Sequence, residues 1–165
     1  MKRYAYTDSP LGRMLMVADE NALCGLYFPG QKHDRAPEAD WVEAPDWPVL
    51  AAARTQLREY FAGERRTFDL PLRLDGTEFQ RRVWQALRDI PPGGTVSYGA
   101  IARAIGASDS VRAAAAAIGR NPVSIIVPCH RVIGSNGSLT GYAGGLDRKR
   151  ALLALEASQQ ALALG

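Results

Sequence analysis

The apolar residues of this chain change their period at Asp75-Gly76, and that change constrains the fold more than any other feature. Before it, Lys2 to Thr7, Arg13 to Ala18 and Ala22 to Phe28 read as strands. Turn-forming runs, Ser9-Pro10-Leu11-Gly12 and Asp19-Glu20-Asn21, separate them and predict an antiparallel meander. Gly30 to Pro48 is rich in charge and proline without a steady period, which predicts a long surface loop. Val49 or Leu50, Ala53, Leu57, Tyr60 and Phe61 then recur at helical spacing, with Gly63 placed to end a helix that covers one face of the sheet. A short strand is expected over Thr67 to Leu72.

After Asp75-Gly76 the pattern is helical. Thr77 and Gln80 have the spacing of a capping box, Phe79, Val83, Trp84 and Leu87 follow on one face, and Pro91-Pro92-Gly93-Gly94 stops the helix. Ser97 caps a short helix carrying Ile101, Ala104 and Ile105 that ends at Gly106. Ser108 or Asp109 opens the next, from Val111 to about Arg120, and Asn121-Pro122 closes it. This pair has the proportions of a helix-turn-helix, which any small helical domain can also show. The run Ala113 to Ala117 fits simple helix propensity or close approach to a DNA backbone. A last helix runs from Asp147 to about Ser158. The expected class is α+β, with an amino-terminal domain over residues 1–75 and a mostly helical domain over 76–165.

Charge changes at the same place. Residues 1–75 hold 10 Lys/Arg against 12 Asp/Glu, and residues 76–165 hold 10 against 5, so only the second part is set to face a polyanion. A chain of 165 residues can bury a core without covalent staples. Its two cysteines, Cys24 and Cys129, form no Cys-x-x-Cys spacing, which argues against a disulfide framework or a metal knuckle and for a reducing compartment. Met1 to Pro10 has no apolar run of signal-peptide type, and no stretch is long enough to span a bilayer. A cytoplasmic location is expected.

Ser124-Ile125-Ile126-Val127 is a β-branched run that reads as a buried strand, ended by Pro128 immediately before Cys129 and His130. Cys24, inside a predicted strand, reads as a small hydrophobe. Cys129 differs because His130 and Arg131 flank it and Arg112 and Arg120 lie upstream, so cations are expected to favour its thiolate. Adjacent side chains seldom meet, and His130 is therefore expected to reach Cys129 through a water. A histidine base needs an orienting acid. Glu156 shares a helical face with Leu152 and Leu153, where a carboxylate is costly unless paired, either with His130 or with an arginine.

The segment from Asn121 through Cys129-His130-Arg131-Val132 to Ile133, followed by Gly141-Tyr142-Ala143-Gly144-Gly145, closely resembles the O6-alkylguanine-DNA alkyltransferases. The resemblance takes in Ser97-Tyr98-Gly99, Arg112 and Glu156 and covers residues 77–158; the amino-terminal part matches loosely, through its strand-helix layout and the Asp8 to Gly12 turn. It implies a ribonuclease H-like first domain, a winged helix-turn-helix-like second domain, and irreversible, stoichiometric transfer of an alkyl group from O6 of a flipped guanine to Cys129. By resemblance His130 and Glu156 relay the thiol proton, Asn121 orients the cysteine turn and Tyr98 donates to the departing guanine. Arg112 fills the vacated base stack, and Ser97, Tyr98, Ala113 and Ala117 meet the minor groove. Tyr142, Ala143, Gly144 and Val132 form the substrate pocket. The implied partner is double-stranded DNA carrying O6-alkylguanine, with O4-alkylthymine a further candidate lesion, bound by a monomer able to cluster on DNA. No cofactor is implied. Some members of the family carry a structural zinc in the first domain, but Cys24 and His33 do not make a ligand set. A lesion binder that lacks transfer and a turnover cysteine hydrolase are the competing classes.

Overall fold

The computed structural model describes residues 1–33 and 35–164, with the side chains of 160–164 excepted. Two compact units form, one from Met1–Leu74 with Pro122–Ser124 and the other from Asp75–Asn121 with the chain from Ile125 onward.

In the first unit, strands β1 (Lys2–Thr7), β2 (Met14–Asp19) and β3 (Ala22–Tyr27) form the expected antiparallel meander. A fourth strand, β4 (Val42–Glu43), lies parallel to β1, and the order is β3-β2-β1-β4. The sheet is thus mixed rather than purely antiparallel, and the span Gly30 to Pro48 is not all loop. Two exposed residues are too few to show a period, so β4 left no trace in the sequence. Helix α1 (Pro48–Phe61) packs on this sheet through Val49, Leu50, Ala53, Leu57 and Tyr60, and Gly63 takes the left-handed conformation just past its end. On the sheet Leu15, Val17, Tyr27 and Trp41 make a separate cluster with Tyr4, Tyr6 and Cys24. Strand alternation leaves Met14 and Met16, both fully buried, for the opposite face.

The strand expected over Thr67 to Leu72 is reduced to one bridge, Leu72 to Leu23. Leu23 N–H donates to Pro71 O at 2.8 Å and Arg73 N–H to Leu23 O at 3.0 Å. Pro71 has no N–H to extend a ladder. The run Ser124 to Val127 is buried as expected apart from half-buried Ile126, but it is a turn and not a strand. Only Val123 bridges, to Leu26, and Ile125 has φ +72°. A β-branched residue in that region costs about 1–3 kcal/mol and persists only where the surroundings fix it.

The second unit contains α2 (Glu78–Arg88), α3 (Tyr98–Ala104), α4 (Val111–Gly119) and α5 (Leu146–Leu164). A small parallel pair, β5 (Val96–Ser97) with β6 (Val132–Ile133), joins them. The Thr77–Gln80 capping box is complete: Thr77 Oγ1 accepts from Gln80 N–H at 3.1 Å and Gln80 Oε1 accepts from Thr77 N–H at 3.0 Å. Val83, Trp84 and Leu87 are the buried face of α2, and the Trp84 indole donates to Ala117 O at 2.8 Å. Ser97 Oγ accepts from Ala100 N–H and starts α3. Gly106, at φ +72°, makes the turn toward α4, whose N-cap is Ser110 instead of Ser108 or Asp109. Helix α5 runs on past Ser158 to Leu164, since no glycine or proline interrupts it.

Candidate functional site

Cys129 opens a single 3-10 turn, Cys129–Arg131, between Pro128 and β6. With about three residues per turn, consecutive side chains diverge by a third of a revolution. Cys129, His130 and Arg131 therefore point three ways, and all three are buried. No hydrogen bond joins Cys129 to His130. The Asn121 amide Nδ2 donates to Cys129 Sγ at 3.1 Å and to Val127 O at 2.7 Å, closing the turn that Ile125 strains.

His130 turns to α5, where its Nε2 lies 2.7 Å from Glu156 Oε2. Arg131 grips the same carboxylate from the other side, with Nε 2.8 Å from Oε1 and Nη2 2.9 Å from Oε2, while Nη1 donates to Ile90 O at 2.7 Å. Both partners that the helical pattern allows for Glu156 are present at once. His130 Nδ1 is buried and bonds no protein group.

These contacts set the protonation states. Burial alone would push the Glu156 carboxyl up, but the hydrogen bonds from His130 and Arg131 outweigh it and hold the group ionised well below the usual carboxylate range. Burial pushes His130 down, against the pull of Glu156, so the imidazole is neutral. The cations expected to favour a thiolate are not the ones that act on the sulfur. Burial pushes the Cys129 thiol up to about 11, against the Asn121 hydrogen bond and the charge of Lys149. Arg131 is occupied by Glu156 and Ile90 O, and neither Arg112 nor Arg120 is among the groups acting on the sulfur.

Lys149 was not picked out from the sequence. It lies on α5 with no exposed surface, and its Nζ donates to Thr140 O at 2.7 Å and Gly141 O at 3.3 Å. The Tyr98 hydroxyl donates to the same two carbonyls, at 2.9 and 3.3 Å. A signal was available: Lys149 stands three residues before Leu152 and seven before Glu156, on the stripe that made Glu156 conspicuous.

Half-buried Tyr98 and Ser97 start α3, and Ser97 uses its hydroxyl as the cap. Arg112 and Ala113 are exposed on α4. Ala117 is not: it is buried against α2 under the Trp84 indole, so the exposed small residues of α4 are Ala113 and Ala116. Tyr142 and Ala143 are half-buried and Gly144 is buried, in the loop that leads to α5. Val132 is wholly enclosed in β6 opposite Val96, which lets it support the turn but not line a surface. Among the described residues no group of three or more His, Cys, Asp or Glu is placed to hold a metal ion. No described helix is long and apolar enough to cross a membrane.

Sequence comparison matches residues 2–74 to the ribonuclease-like domain of 6-O-methylguanine DNA methyltransferases, and residues 78–158 to their DNA-binding domain. A methylated-DNA--protein-cysteine methyltransferase from Mycolicibacterium paratuberculosis is 50% identical over 94% of this chain and 93% of its own length. One of the same name from Methanosarcina acetivorans is 50% identical over 94% of this chain and 98% of its own. In three dimensions the chain is similar to Mycobacterium tuberculosis OGT in a crystal structure with DNA, at TM-score 0.88 and 48% identity over 95% of this chain and 94% of that one.

Proposed function

The chain belongs to the 6-O-methylguanine DNA methyltransferase family, and from that premise we propose that it repairs DNA by moving an alkyl group from O6 of guanine to Sγ of Cys129, once per molecule. The observation that carries this reading is the buried Cys129 thiol, held by Asn121 beside a His130–Glu156 pair whose histidine keeps a free, neutral Nδ1.

In the transfer, the S–H bond breaks and its proton passes through a bridging water to His130 Nδ1. The sulfur electron pair forms the S–C bond, the C–O6 bond breaks, and its electrons remain on guanine. A donor near the base lowers that barrier. Tyr98 fills the role because its hydroxyl already points at acceptors, the Thr140 and Gly141 carbonyls, and can exchange them for guanine. With a resting thiol pushed up to about 11, a free thiolate is scarce at neutral pH. The reactive sulfur is therefore generated in the site, by proton transfer toward His130 through the water. The thioether cannot be cleaved by any group in the site, so each molecule acts once.

The base reaches Cys129 only by leaving the duplex, at a cost of a few kcal/mol. We assign exposed Arg112 to the vacated stack and Ala113 and Ala116 to close approach in the minor groove, with Tyr142, Ala143 and Gly144 as the pocket wall. O6-alkylguanine is the principal lesion and O4-alkylthymine a secondary one. The protein acts as a monomer, able to cluster along DNA, in the cytoplasm.

Cys129→Ser tests the assignment. It is expected to bind O6-methylguanine duplex like the parent and transfer no methyl group; measurable transfer by this variant would remove Cys129 from its role. Arg112→Ala is expected to slow repair of duplex far more than reaction with the free base, and an equal effect on both would end its flipping role.

A further inference from the structure

Lys149 is the single lysine of residues 76–165, and no part of it reaches solvent. Enclosing an ammonium is costly unless another charge answers it. Its hydrogen-bond partners, Thr140 O and Gly141 O, are neutral, and among the described residues no carboxylate forms an ion pair with it. The buried Glu156 carboxylate is already matched by Arg131. With His130 neutral and Cys129 protonated, the cluster of Cys129, His130, Arg131, Lys149 and Glu156 holds two positive charges against one negative. Loss of the thiol proton to solvent cancels the excess, and its passage to His130 leaves the sulfur negative among cations.

We propose that Lys149 is the counter-ion of the Cys129 thiolate, fixed on the Thr140 and Gly141 carbonyls as the standing positive charge that ionisation of the buried sulfur neutralises. The inference deepens the alkyl-transfer reading and rests on it for its biological meaning. Its supports are the full burial of Lys149, its two carbonyl anchors, and the sharing of those anchors with the Tyr98 hydroxyl, which ties the charge to the site. Burial lowers the Lys149 ammonium and raises the Cys129 thiol, and each is opposed in part by the charge of the other. The other charged groups at the cysteine turn are His130 and Arg131 on the turn and Glu156 on α5; the buried residues of α2, Val83, Trp84 and Leu87, bring none. Lys149 acts through the sulfur and is thus a positioning residue.

The test uses the full chain with Cys24→Ser, so that Cys129 is the only thiol, and iodoacetamide, a small neutral reagent that needs no DNA. The rate of thiol alkylation is followed against pH for the parent and for Lys149→Gln, Lys149→Met and Lys149→Arg. Glutamine keeps an N–H donor but has no charge. Both neutral variants are expected to move the inflection upward by about one pH unit or more and to react roughly tenfold more slowly below it. Arginine is expected to restore most of the parent profile. Unchanged inflections in the neutral variants, or glutamine matching the parent, would overturn the proposal. The unsubstituted lysine gives a second readout should those variants fail to fold: its ammonium nitrogen resonance is expected to shift as Cys129 ionises, and a resonance indifferent to that step would also overturn it. If the pH dependence appears but O6-methylguanine DNA leaves Cys129 unmodified, the alkyl-transfer reading fails and the counter-ion role stands.

Discussion

The two units of this chain solve burial in opposite ways. The first encloses aliphatic and aromatic groups, Met14, Met16, Leu50, Leu57 and Tyr60 among them, and keeps its ion pairs, such as Arg65–Glu59 and Arg73–Asp19, near solvent. In the second, Arg131, Lys149 and Glu156 are buried with His130, and among the described residues these are all the buried charged side chains of the molecule. A core of the first kind stabilises; one of the second kind is costly and specifies geometry. The contrast teaches where function sits. In the second unit Asn121 donates to Cys129, and His130 and Arg131 share Glu156 next to it, whereas Cys24 is half-buried beside the aromatic cluster of the first unit.

That contrast can be broken experimentally, most forcefully at Arg131. Arg131→Met strands the Glu156 charge and is expected to destabilise the protein by about 3–5 kcal/mol, read by chemical denaturation. A loss under 1 kcal/mol would mean that the buried pair contributes no more than a surface one. Acid should act through the same groups. His130 has a folded pKa below its ordinary 6.5, so the unfolded chain binds more protons and stability falls as pH drops below about 6.5. Glu156 is also held down, so its contribution is present above about 4.5 and lost as pH falls further. Glu156→Gln is expected to flatten the lower part of that curve and to slow transfer; an unchanged acid curve would place the sensitivity elsewhere.

A slightly smaller effect is expected in the first unit. Leu50→Ala leaves a cavity against the sheet and should cost about 2–5 kcal/mol, with the transfer rate per folded molecule unchanged. A fall in that rate would show that the apolar core also tunes the chemistry. Smallest of all, Glu59→Gln removes a partly exposed ion pair with Arg65 and should change stability by about 0.2–1 kcal/mol in urea denaturation.

Much of the architecture was legible because periodicity and capping are local signals. The three-strand meander, α1, the Thr77–Gln80 capping box and the Ser97 cap all declare themselves within a few residues. What failed to show is long-range. β4 owes its existence to β1, not to its own two residues, and Pro71 let a strand-like run pair at one point only. The apolar run Ser124 to Val127 satisfies burial equally as strand or turn, and Asn121, donating to Val127 O, selects the turn.

At the site, Glu156 could be read because a carboxylate on a leucine face demands a partner, and both candidates, His130 and an arginine, hold it. The state of Cys129 could not, since flanking cations in sequence say nothing of where their side chains go: Arg131 turns to Glu156, and burial then decides the thiol. Ala117 shows the same limit, because an alanine run does not reveal which of its members face a neighbouring helix.

The most direct measurement of the central claim is the intact mass of the protein, with peptide mapping, after incubation with duplex DNA containing one O6-methylguanine. One methyl group on Cys129, none on Cys24, and no more than one guanine restored per chain is the predicted result. Methylation of Cys24, or restored guanine accumulating beyond one per chain without an adduct on Cys129, would contradict it.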